Sequence, residues 1–217
     1  MASFGHVAVG LLTGRLHGGP QGAPERRCPG AASWKTLLAF AVLAALPDLD
    51  VLLVALGAAD GGSIGHRGAT HSLAMAVLMG ALAALAARRF GWPALRTAVA
   101  AAAAVASHTF LDLLGAEGKG LALLWPLSAH RFHSPWRVFP DAPRGMRLLS
   151  RYGLAEVAIE FGLFMPVTMY ALWPRIIARL RREPPRLRVI AGAAGPPGSA
   201  TAAGATDEHD APVRSTG

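Results

Sequence analysis

Charge is scarce in this sequence, and cysteine almost missing. Only 16% of the 217 residues are Asp, Glu, Lys or Arg, against about 25% in an ordinary soluble domain. Long stretches carry no charge at all. That profile excludes a typical water-soluble globule and fits a chain immersed in lipid. Cys28 stands alone, so no internal disulfide and no CxxC zinc knuckle can form. Any metal site must use histidine and carboxylate. Aromatic residues make up 7%, and no basic stripe alternates with them. The net charge of +8 is therefore not read as a nucleic-acid footprint, and no nucleic-acid partner is expected. The arginines cluster at the ends of apolar runs instead, as suits lipid headgroups. A GxxxxGKS or GxxxxGKT loop and an HExxH motif are both lacking, which disfavours those common enzyme classes.

What is present is apolar sequence, 53% of the chain. Four stretches stand out: 36–58, 72–87, 97–116 and 154–174. A spanning helix needs about 20 residues. The second is short, and Arg88 and Arg89 are placed to snorkel. The third is alanine-rich, which allows close helix packing in a bilayer. The segment 4–14 is too short to span and is expected to dip into the membrane or lie on it. It lacks a basic leader and is read as part of the mature protein. The predicted fold is all-α, an integral membrane bundle of about four spans plus a short N-terminal apolar helix. Residues 1–188 form the embedded domain, and the Ala/Gly/Pro-rich residues 189–217 a disordered tail. Lys and Arg fall in excess on the side that holds both termini if the chain begins inside, so both termini are expected to be cytoplasmic. The oligomeric state is not legible.

Ionisable residues within a membrane are costly and mark function by default. Asp48 and Asp50 lie in LPDLD, within the first stretch. His66, Arg67 and His71 open the second, in GHRGATHS. His108 and Asp112 lie in the third, Glu156 and Glu160 open the fourth, and His6 lies in the N-terminal segment. Consecutive spans alternate in direction, so these positions approach one membrane face. His108 and Asp112 are i and i+4, neighbours on one helix face. In a continuous helix Asp48 and Asp50 would diverge by about 200°; Pro47 offers the break that convergence requires. His17, His130, His133 and His209 read as loop or tail residues, and Trp125, Trp136 and Trp173 as interface anchors.

Imidazoles and carboxylates without thiolates suit one or two divalent ions of Zn, Mn or Fe. The metal candidates are His6, Asp48, Asp50, His66, His71, His108 and Asp112. Asp50, Arg67 and His66 are the candidates for catalysis, with Arg67 placed to clamp an anion. Thr70, Ser72 and Ser107 are candidates to support the ligands by hydrogen bonds.

These residues resemble a known pattern. His6, LPDLD at 46–50, HRGATHS at 66–72, HTFLD at 108–112 and LLWPLS at 123–128 are similar to the bacterial inner-membrane metal-dependent hydrolases, the YdjM-like proteins. The resemblance covers roughly residues 1–135. It implies a multi-pass bacterial inner-membrane protein with metal-dependent hydrolase activity, and it names no substrate. The expected function is cleavage of an ester or phosphoester in a lipid or anionic amphiphile by metal-activated water. The alternative is a transporter or metal-handling protein that uses the same cluster. A third reading is an adaptor whose polar cluster only holds its helices together.

Overall fold

The computed structural model describes residues 4–18, 32–59, 61–63, 65–115, 120–136, 138 and 149–180. The tail expected to be disordered, 189–217, lies outside them, as does most of the Gly/Pro-rich connection at 17–34. Within the described residues six α-helices carry the fold: α1 Phe4–His17, α2 Trp34–Ala45, α3 Asp50–Ala55, α4 Leu73–Arg89, α5 Ala94–Leu113 and α6 Arg151–Leu180. Among the described residues there is no strand, only an isolated antiparallel bridge between Leu121 and Phe132.

The helix starts follow local chemistry. Ser33 accepts a hydrogen bond from the Thr36 amide and caps α2; Ser72 accepts one from the Met75 amide and caps α4. Pro47 has no N–H to offer the Leu43 carbonyl, so the Leu46 amide turns to it instead. The chain tightens there into a 3-10 turn, Leu46–Leu49, before α3 resumes the helix.

Among the described residues three segments are long and apolar enough to cross a membrane: Trp34–Ala55, Ala94–Leu113 and Arg151–Ile177. The second apolar stretch of the sequence becomes α4, with 17 residues. At 1.5 Å per residue it rises about 25 Å, short of a hydrocarbon core about 30 Å thick. It is short because the residues before it, GHRGATHS, are spent on a loop and a 3-10 turn at Ala69–His71. Pro166 and Pro174 lie inside α6, which neighbouring helices in a bilayer tolerate.

α1 is not a surface helix. Gly10 meets Phe40 and Ala41 of α2, Gly14 meets Leu37, and His6 stacks on His108 of α5. Phe4 touches Phe161, and Arg15 lies over the Tyr170 ring, so α1 and α6 run parallel. α2 and α5 run the opposite way to α1. α4 packs antiparallel to α5, with Gly80 against Ala98 and Ala102. Phe4 and Leu180 thus lie at opposite ends of the bundle. Phe40, Ala44, Ala101 and Ala104 form an apolar core between α2 and α5.

Candidate metal centre

The polar residues converge at one end of this core. His108 Nδ1 donates to the Ala44 carbonyl at 2.8 Å. A carbonyl only accepts, so the lone pair of that ring lies on Nε2. His108 Nε2 stands 3.1 Å from His71 Nε2 and 3.4 Å from Asp48 Oδ1. His71 Nε2 is 3.5 Å from Asp112 Oδ2 and 3.9 Å from Asp48 Oδ1. Asp48, His71, His108 and Asp112 thus offer four ligand atoms within 4.8 Å of one another.

Asp48 and Asp50 reach opposite edges of one imidazole. Asp48 faces His71 Nε2, while Asp50 Oδ2 takes His71 Nδ1 at 3.1 Å. Asp50 is heavily engaged. Its Oδ1 pairs with His66 Nδ1 at 2.7 Å, and its Oδ2 also accepts from the Thr70 hydroxyl at 2.6 Å and the Arg67 amide at 3.1 Å. Asp50, His66 and His71 form a second group with metal-ligand spacing, which shares His71 with the first. Within it both carboxylate oxygens already accept from protein donors.

Arg67 has φ +62°, a strained conformation for a side chain of this size. Its guanidinium is buried on Asp112 Oδ2, through Nε at 3.1 Å and Nη2 at 3.0 Å. Removing one partner of such a buried pair typically costs about 3–5 kcal/mol. His6 is fully buried. Its Nε2 lies 3.4 Å from Asp112 Oδ1, and neither ring nitrogen makes a hydrogen bond. Burial opposes a charge on His71, but the Asp112 and Asp50 carboxylates outweigh it and raise its pKa to about 9. The centre therefore draws positive charge to itself, as a proton or as a metal ion. Converging imidazole and carboxylate acceptors, with the orphaned His6 beside them, fit a divalent cation of the Zn, Mn or Fe kind.

The structure brings every sequence-selected candidate to this end. Asp48 has the only side chain of the four-residue group with appreciable exposure, 28%. Of the supporting candidates, Thr70 bonds Asp50, Ser72 caps α4, and Ser107 bonds the Ala104 carbonyl of its own helix. Glu160 accepts from the amide of Gly5, the residue before His6, and Glu156 is buried one turn earlier. His17 is not a loop residue: it ends α1 buried, and its Nε2 donates to Thr97 Oγ1 at 3.0 Å. Two contributors had no sequence signal of their own. One is the Ala44 carbonyl. The other is Arg131, whose guanidinium ties Gly120 to Gly61 and Gly62 at the mouth of the GHRGATHS loop.

A membrane-spanning helical bundle closed around a buried His/Asp cluster defines the class of protein. The chain belongs to the YdjM inner membrane protein family, whose model matches residues 1–181. It is 41% identical over 175 residues to inner membrane protein YbcI of Escherichia coli (strain K12), covering 78% of this chain and 95% of that protein. No solved structure matches the chain.

Proposed function

We propose that this inner-membrane protein is a metal-dependent hydrolase that cleaves an ester or phosphoester in a lipid or other anionic amphiphile. The observation that carries the reading is the meeting of His71 Nε2, His108 Nε2, Asp48 and Asp112 around one point. A divalent ion held there would acidify a water and polarise a phosphoryl or carbonyl oxygen.

The protein's own residues divide the remaining work. Asp50 and the Ala44 carbonyl aim His71 and His108, and Arg67 holds Asp112. His66 stands with its ring 5.6 Å from that of His71 and its Nδ1 fixed by Asp50. With that ion bound, its Nε2 would be the group to take a proton from the water and return it to the departing oxygen. Asp48 marks the open side, and the exposed Leu49 and Leu52 beside it supply an apolar rim for an acyl chain. The apolar Phe40–Ala44–Ala101–Ala104 core beneath the cluster favours hydrolysis over transport, which needs a polar track to the other face. The excess of basic residues at the far end, among them Arg15, Lys35, Arg88, Arg89 and Arg96, orients that end to the cytoplasm and the cluster to the periplasm.

Elemental analysis of the detergent-purified protein tests the reading. Wild type is expected to hold divalent metal near stoichiometry. His108→Ala is expected to lose it while keeping its helical content by circular dichroism, and to lose hydrolysis of vesicle-embedded phosphoesters and carboxylesters. Full metal retention in His108→Ala, or no metal uptake by wild type, overturns the assignment.

A further inference from the structure

The opposite end of the bundle holds a second feature. A cavity of about 400 Å³ opens between α2, α4 and α5, within the size range of ligand sites. Small side chains make the hollow: Ala39 on α2, Ala83, Ala86 and Ala87 on α4, and Ala101 on α5. Phe40 and Trp92 complete its apolar wall. The polar groups at its rim largely satisfy one another. Thr97 Oγ1 donates to the Pro93 carbonyl and accepts from His17, and the Ser33 and Thr36 hydroxyls pair at 2.8 Å. An apolar hollow of this kind does not hold water, and in a bilayer the available filler is a hydrocarbon chain.

The charge around the cavity then selects the headgroup. Lys35 lies in its lining, and Arg96 reaches the Leu16 carbonyl beside His17. Arg88 and Arg89 follow directly on Ala86 and Ala87. Among the described residues the carboxylates Asp48, Asp50, Asp112, Glu156 and Glu160 all lie at the other end. We infer that this cavity is a binding site for an anionic phospholipid, with one acyl chain between α2, α4 and α5 and the phosphate against Lys35. The site is distinct from the metal centre, and its occupant is a resident lipid rather than the hydrolytic substrate.

Native mass spectrometry of the full chain in mild detergent tests this, with phosphatidylglycerol titrated against phosphatidylcholine of the same acyl chains. One phosphatidylglycerol per chain is expected to be retained in preference to phosphatidylcholine. Lys35→Gln is expected to weaken its binding by about fivefold, the effect of one basic side chain at a membrane surface. Ala86→Phe fills the hollow from an exposed position and is expected to abolish retention with helical content unchanged. Equal retention of the two lipids, or undiminished retention by Ala86→Phe, overturns the site and leaves only loosely held boundary lipid. Displacement of the lipid by glycerol 3-phosphate alone overturns it in favour of a free-phosphate site.

Discussion

Asp50 illustrates how far single residues are legible. It lies two positions from Asp48, and in sequence the two acids are equivalent candidates. The 3-10 turn at Leu46–Leu49 separates them, sending Asp48 to His71 Nε2 and Asp50 to His71 Nδ1. Both Asp50 oxygens accept from protein donors, which suits a residue that aims ligands. Asp50→Asn replaces one acceptor with a donor facing His66 or Thr70 and frees the His71 ring to turn. Its expected effect is a loss of metal affinity of about 10- to 100-fold, the usual scale for a partner of a ligating histidine. Calorimetric titration of metal into the apoprotein measures it, and His108→Ala is expected to bind too weakly to fit. An Asp50→Asn affinity equal to wild type would remove Asp50 from any role at the centre. The candidate residues themselves were legible because ionisable groups are conspicuous in apolar sequence. Their division of labour was not, because it depends on which edge of a ring each oxygen reaches.

At the scale of the helix, the apolar stretches 72–87 and 97–116 lie within a few residues of α4 (Leu73–Arg89) and α5 (Ala94–Leu113). Hydropathy and the flanking arginines mark those boundaries well. Hydropathy is blind to which helix touches which, and α1 escaped for that reason. Its admission to the bundle depends on glycine. A Cβ at Gly10 would stand 2.6 Å from the Phe40 carbonyl oxygen and 2.7 Å from the Ala41 Cα, both backbone atoms that cannot swing aside. Gly80 meets the Ala98 carbonyl oxygen of α5 at 2.8 Å in the same way. Small residues at such crossings let helices approach closely in lipid, where packing rather than hydrophobicity drives association. Gly10→Val is expected to destabilise the protein by about 1–3 kcal/mol, the range for overpacking a filled site. Because α1 carries His6, metal affinity is expected to fall with it. Gly162 of α6 is the control: nothing lies within 4 Å of its would-be Cβ. Gly162→Ala is expected to be neutral or to stabilise by up to about 1 kcal/mol through helix propensity. Thermal denaturation of both variants in one detergent separates the two effects. Equal melting temperatures would show that the α1–α2 contact contributes nothing.

Over the whole molecule, charge divides the bundle into two ends. The described carboxylates gather with the histidine cluster, while Arg15, Lys35, Arg88, Arg89 and Arg96 gather where α1 ends and α2 begins. The division follows from alternation: each reversal of the chain returns the carboxylates to one end and most of the basic residues to the other, while Arg67 and Arg131 stay with the cluster. It also makes topology measurable with the protein's own chemistry, since Cys28 is the only cysteine and falls in the connection between α1 and α2. If the basic end faces the cytoplasm, a membrane-impermeant maleimide is expected to label Cys28 in inverted vesicles and not in intact spheroplasts. In a Cys28→Ser background, Ala129→Cys places the thiol at an exposed position on the loop that packs over Arg67 and α4 at the cluster end. Its labelling is expected to reverse, appearing in spheroplasts. Labelling of both positions from the same side would contradict the arrangement in which α2 and α5 run opposite to α4 across the bilayer. A clean exchange of the two patterns would keep the bundle but turn it over, opening the metal centre to the cytoplasm and moving the basic rim of the apolar cavity to the outer leaflet.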